Sequence, residues 1–117
     1  MSRFGPFIDD TGVTFRLWAP AAHEVTLVLG RALPMQKRGE WFEARVGDAA
    51  AGTRYRFNID GELDIPDPAS HFQPDDVHGP SEVIDHRFAW QCAGWKGRPW
   101  EEAVFSEAHV GTFTCEG

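Results

Sequence analysis

Between Val13 and Pro20 the chain alternates strictly: Val13, Phe15, Leu17 and Ala19 fall on one face, Thr14, Arg16 and Trp18 on the other. A period of two is that of a strand with one side against a core. Pro20 ends it, because a residue without an N–H cannot continue a central ladder. The same pattern returns downstream. Val25, Leu27 and Leu29 share a face in the run 25–29, which Gly30 stops. A weaker segment over 33–36 contains Pro34 and is expected at an edge, with a turn over 37–40. In 41–46, Phe42, Ala44 and Val46 oppose Trp41, Glu43 and Arg45, and in 54–59, Tyr55, Phe57 and Ile59 oppose Arg54, Arg56 and Asn58.

Asp60-Gly61 follows this last strand and predicts a hairpin, since both central residues of a type I′ turn take positive φ, with 62–65 as the returning strand. Short strands at this spacing, with almost no helical period between them, predict an all-β fold of two packed sheets.

Alternation stops at Pro66. The stretch from Pro66 to Pro80 is rich in proline, which disfavours regular hydrogen bonding. Connections longer than about 12–15 residues are usually functional, disordered or held against something. One more strand is expected over 81–84, then a polar linker in which Phe88, Trp90, Trp95 and Trp100 act as aromatic anchors. The run from Ala103 to Phe113 reads as a strand without neighbours of its own, the expected opening element of a further domain. The chain thus divides into a sandwich over 4–84, a linker over 85–102 and an isolated strand within 103–117.

With 117 residues, 42% of them hydrophobic, the chain has material for one packed core. The formal net charge of -7 argues against nucleic acid as a partner. Acidity is concentrated between Phe57 and His86, where no Lys or Arg occurs. The N-terminus lacks the apolar core of a signal peptide and no run is long enough to span a membrane, so no membrane partner is expected. Cys92 and Cys115 form neither a disulfide framework nor a metal-ligand pattern, and a cytoplasmic chain with reduced thiols is expected.

Candidate chemistry is sparse. Asp75 and Asp76, with His71 and His78 nearby, have the groups of an acid/base pair or a metal site, but adjacent carboxylates on a proline-rich loop are more simply solvated. His71, His78 and His86 are spaced too irregularly for a helix-borne zinc pair, so neither a metal nor a cofactor is expected. Glu107 and His109 share one side of the last segment, idle without neighbouring strands. Trp18 and Trp41 lie on strand faces opposite the core, where an indole either stacks on a glucose ring or packs beneath a loop.

The runs Phe15-Arg16-Leu17-Trp18-Ala19-Pro20, Gly52-Thr53-Arg54-Tyr55-Arg56-Phe57, Pro66-Asp67-Pro68-Ala69-Ser70 and His78-Gly79-Pro80-Ser81-Glu82-Val83 together resemble the N-terminal domain of the maltooligosyltrehalose trehalohydrolase family. The run His109-Val110-Gly111-Thr112-Phe113-Thr114 resembles the first barrel strand of those enzymes, with Ser106 and Ala108 departing from a tyrosine and a leucine. The first run alone is shared with branching and debranching enzymes. The resemblance implies an immunoglobulin-like (early-set) β-sandwich of the family-48 carbohydrate-binding type, a linker, and the first strand of a truncated (β/α)8 glycoside hydrolase barrel. It implies α-1,4-glucan or maltooligosyltrehalose as partner through the parent enzyme, with Asp67, His78, Ser81 and His109 docking on the barrel. Alternatives are a stand-alone glucan-binding module or the N-terminal module of a branching or debranching enzyme.

Retaining glycoside hydrolysis needs two carboxyl groups about 5–5.5 Å apart, which that family supplies from later barrel strands. A barrel takes about 250 residues, so no catalytic residue carries over to this chain.

Overall fold

A computed structural model describes residues 4–116. The chain separates into two compact units, residues up to 87 and residues from 88 onward. Among the described residues the first contains nine strands: β1 (Phe7–Asp9), β2 (Gly12–Trp18), β3 (Val25–Val28), β4 (Ala32–Pro34), β5 (Gln36–Arg38), β6 (Trp41–Val46), β7 (Arg54–Ile59), β8 (Leu63–Ile65) and β9 (Ser81–Glu82). One sheet has the order β1-β2-β6-β5 and the other β4-β3-β7-β8, with β9 also on β7. All pairings are antiparallel.

The alternation in the sequence becomes the interior. Val13, Phe15 and Leu17 of β2 and Phe42 and Val46 of β6 face Val25 and Leu27 of β3 and Tyr55 and Phe57 of β7, all buried in one core cluster. The Phe15 and Tyr55 rings meet edge to face with centroids 4.8 Å apart, a favoured aromatic geometry. The register of β2 on β6 sets Phe15 opposite Ala44, Leu17 opposite Phe42 and Trp18 opposite Trp41.

The turns follow their residues. Asp60 and Gly61 have φ of 52° and 74°, the signs that a type I′ turn requires, and Glu62 N–H donates to the Ile59 carbonyl to close the turn. Gly12 begins β2 at φ 133°, and a Cβ there would lie 2.4 Å from the Val46 carbonyl oxygen, so the close approach of β2 and β6 depends on glycine.

Two features differ from the pattern-based expectation. The weak segment near Pro34 is two edge strands, not one. β4 joins one sheet and β5 the other, and the chain crosses between them at buried Met35, whose N–H donates to the Val25 carbonyl. Lys37 and Arg38, expected in a turn, lie in β5. In addition, β1 pairs with β2 although its residues show no alternation, because the Asp9–Gly12 turn returns the chain alongside β2. β9 occupies only Ser81–Glu82 of the expected 81–84, while Val83 continues through hydrogen bonds with Gly52 and Thr53.

In the second unit, Trp100–Glu102 form a 3₁₀ turn and Val110–Phe113 a single helical turn, α1. Residues 103–109 carry no regular element, so the strand expected over Ala103–Phe113 is not formed in this chain. A strand is held by ladder hydrogen bonds to its neighbours, and none pairs with this segment among the described residues. Trp90, Trp95 and Trp100 are each at least 70% exposed, with the Trp90 ring 4.8 Å from that of Phe88 and the Trp100 ring 5.1 Å from that of Phe105.

Candidate functional site

The segment after β8 is fastened to the sandwich by its polar residues. Tyr55 donates its hydroxyl to Asp67 Oδ2 at 2.6 Å, Ala69 N–H donates to Asp67 Oδ1 at 2.8 Å, and Asp67 N–H donates to Ser81 Oγ at 2.9 Å. Burial pushes the Asp67 carboxyl above the usual carboxylate range, opposed by the Tyr55 hydroxyl, and burial with the neighbouring Asp67 charge pushes Tyr55 well above its ordinary value. Asp67 and Ser81, expected on a docking face, are instead buried, because both are consumed in holding this segment against β7. His78 is exposed on the loop and His109 is exposed ahead of α1, so neither is committed to the interior.

The constellation imagined around Asp75 and Asp76 does not converge. Asp75 pairs with Arg54, and Asp76 Oδ1 accepts from the N–H groups of His78 and Gly79. Gln73 Nε2 donates to the carbonyls of Asp76, Val77 and Gly79, which makes this loop a self-bonded knob. His71 turns elsewhere, its Nδ1 2.6 Å from His86 Nε2. Among the described residues there is no group of three or more His, Cys, Asp or Glu placed to hold a metal ion.

The two tryptophans singled out from the sequence are brought together at the end of β2 and β6, but they are not equivalent. Trp18 is 52% exposed, with its indole N–H donating to Glu40 Oε2 at 3.3 Å. Trp41 is half-buried. The Phe4 ring lies 5.3 Å from it, and the Arg16 guanidinium sits over it at 4.8 Å, within cation–π range. Arg16 is steadied further by Glu43, whose Oε2 is 3.2 Å from Nε but off the line of a hydrogen bond. Of the two indoles Trp18 is the more exposed, and Phe4, also 52% exposed, borders the same surface.

Two cavities meet at Phe4 and Trp18. One, of about 250 Å³, is lined by Phe4, Arg16, Leu17 and Trp18 together with the segment Asp67-Pro68-Ala69. The other, of about 310 Å³ and more open, is lined by Phe4, Trp18, Glu40 and Trp41. Sequence periodicity exposed the two indoles but not this wall. Pro68 and Ala69 line the same cavity as Trp18, and the neighbouring Asp67 is fixed by Tyr55 and Ser81, contacts distant in sequence that leave no local signal in the chain.

Residues 3–74 match the model of carbohydrate-binding module 48, the isoamylase N-terminal domain. The chain is 39% identical over 117 residues to a malto-oligosyltrehalose trehalohydrolase of Saccharolobus solfataricus, covering 97% of this chain and 21% of that one. It is 40% identical over 114 residues to the enzyme of the same name from Deinococcus radiodurans, covering 96% of this chain and 19% of that one. Among solved structures, a putative alpha amylase from Salmonella typhimurium superposes with a TM-score of 0.85 at 42% identity, over 99% of this chain and 20% of that one. The chain thus spans about a fifth of the length of the curated relatives that it matches.

Proposed function

The chain belongs to the carbohydrate-binding module 48 family, and from that premise we propose that it serves as the non-catalytic N-terminal module of an α-glucan-acting glycoside hydrolase similar to the malto-oligosyltrehalose trehalohydrolases. The observation that carries this reading is the extent of the likeness. It covers 97% of the chain and so runs past residue 74, where the family match ends, into the second unit. A likeness shared only through the sandwich would stop sooner.

In this reading Trp18 is the glucan contact, stacking its exposed face on the apolar face of a glucosyl ring, and Trp41 is the support beneath it, held by Phe4 and Arg16. His78 on the loop knob and His109 ahead of α1 contact the catalytic barrel. Residues 103–113 are taken as a barrel strand that forms only when neighbouring strands pair with it. The free, exposed thiols of Cys92 and Cys115 accord with action in the cytoplasm.

Affinity electrophoresis through amylose or glycogen tests the binding half of this proposal. The chain is expected to be retarded, and Trp18→Ala to run as in a gel without polysaccharide while keeping its unfolding temperature. Equal mobility of the chain with and without polysaccharide would overturn it. The non-catalytic half is tested by incubating the chain with malto-oligosyltrehalose; no trehalose is expected, and measurable release refutes it.

A further inference from the structure

We infer that the contact between His71 and His86 is a pH-sensitive clasp: it holds the outgoing chain at 84–87 against the sandwich and opens when both imidazoles carry a proton. His71 Nδ1 lies 2.6 Å from His86 Nε2, with the ring centroids 4.6 Å apart and the planes at 71°. Two imidazole nitrogens meet in this way when one bears a hydrogen and the other offers a lone pair. The contact is therefore compatible with two neutral rings, or with one extra proton on the pair. A second proton leaves no acceptor and sets two like charges side by side. The device needs no ligand, so it stands apart from the glucan reading.

The two members are not held alike. His71 sits on a fastened part of the segment after β8: before it Ala69 N–H donates to Asp67, and after it the Phe72 carbonyl accepts from Glu82 N–H at 2.9 Å. Its ring also rests against Gly5, where a Cβ would lie 3.3 Å from Nε2. His86 lacks such support. The last main-chain hydrogen bonds to the sandwich are those of Val83, and among the described residues none ties 84–87 to it. A cleft of about 290 Å³ is lined by this segment together with Pro6, Phe7, Ile8 and His71, so packing against β1 is incomplete. The imidazole contact is thus what joins the outgoing chain to a fixed point. The charged groups facing the pair are Asp67, which interacts electrostatically with His71, and Asp85 and Arg87 on the outgoing segment, which bond to each other at 2.7 Å, with Asp10 acting on Arg87. Arg87 holds the Asp85 carboxyl at about 2, so Asp85 keeps its charge across the range in which imidazoles ordinarily titrate. Asp67 is the other carboxylate to separate from the histidines, and its own variant does so.

Backbone order parameters from ¹⁵N relaxation of the 117-residue chain read the clasp directly. The amides of 84–87 are expected at about 0.85 at about pH 8 and below about 0.6 at about pH 5, with β2 and β6 unchanged. In His71→Ala and in His86→Ala the low values should hold at both pH values, and Asp67→Asn should keep the fall. Order at 84–87 that does not change with pH in the wild-type chain overturns the inference, as does a fall shared with β2 and β6. So does either histidine variant in which 84–87 stay ordered at the higher pH. A fall that disappears in a folded Asp67→Asn protein assigns the switch to Asp67 and overturns it too. Should Asp67→Asn fail to fold, the two histidine variants decide alone.

Discussion

Tyr55, Asp67 and Ser81 form the buried polar contacts that hold the segment after β8. Tyr55→Phe keeps the ring against Phe15 but leaves Asp67 Oδ2 without its donor inside the protein. A buried acceptor deprived of its partner costs about 1–3 kcal/mol, and urea unfolding should show a loss of that size. The protonation of Asp67 gives a second expectation. Burial raises its folded-state pKa, so the native chain holds this proton more tightly than the unfolded chain. The contribution is therefore fully present below the ordinary carboxylate value and is lost as pH rises through the raised one. Asp85 acts with the opposite sign: Arg87 holds its carboxyl down at about 2, so its contribution is present above the ordinary value and is lost as the pH falls toward 2. Melting temperatures across the acid range should show the decline above the ordinary carboxylate value flattened in Asp67→Asn and preserved in Asp85→Asn.

At the scale of elements, the turn after β7 ties more than its own hairpin. Asp60 Oδ1 accepts from the N–H groups of His23 and Glu24, and these donors hold the Asp60 carboxyl below its usual range. The Asp60-Gly61 turn thus secures the entry to β3 as well. Gly61→Ala should destabilise by about 1–2 kcal/mol, because an L side chain is strained at this φ. Gly12→Ala should do worse, since β2 and β6 must separate to admit the methyl group. Thermal unfolding distinguishes the two. The Asp60-Gly61 hairpin is legible in two residues. The crossing at Met35 is not: β4 and β5 are three residues each and nearly all exposed, so no periodicity marks which sheet each one joins.

Across the whole molecule the two units differ in kind. The first buries a continuous core; the second buries no residue among those described and leaves Val104, Phe105, Val110 and Phe113 at least 73% exposed. Apolar side chains displayed in this way promote association. Removal of residues 103–117 should lower the apparent mass in concentration-dependent size-exclusion chromatography without moving the unfolding temperature of the first unit. An unchanged elution profile would show that these side chains take no part in association. Within the first unit, Phe15→Ala should cost about 3–5 kcal/mol, as for a large aromatic removed from a closed core.

Local pattern was enough for the sandwich and for the outward position of Trp18, because side-chain direction in a strand is set by the parity of position and needs no partner. The same parity placed Trp41 on the outer face but could say nothing of Phe4 and Arg16, which cover it. Which indole is the more exposed, why Asp67 and Ser81 lie inside, and how Pro68 and Ala69 come to line the same cavity as Trp18 were decided by contacts between residues far apart in the chain. The fate of residues 103–113 belongs to the same class: an alternating sequence becomes a strand only where another strand accepts its hydrogen bonds.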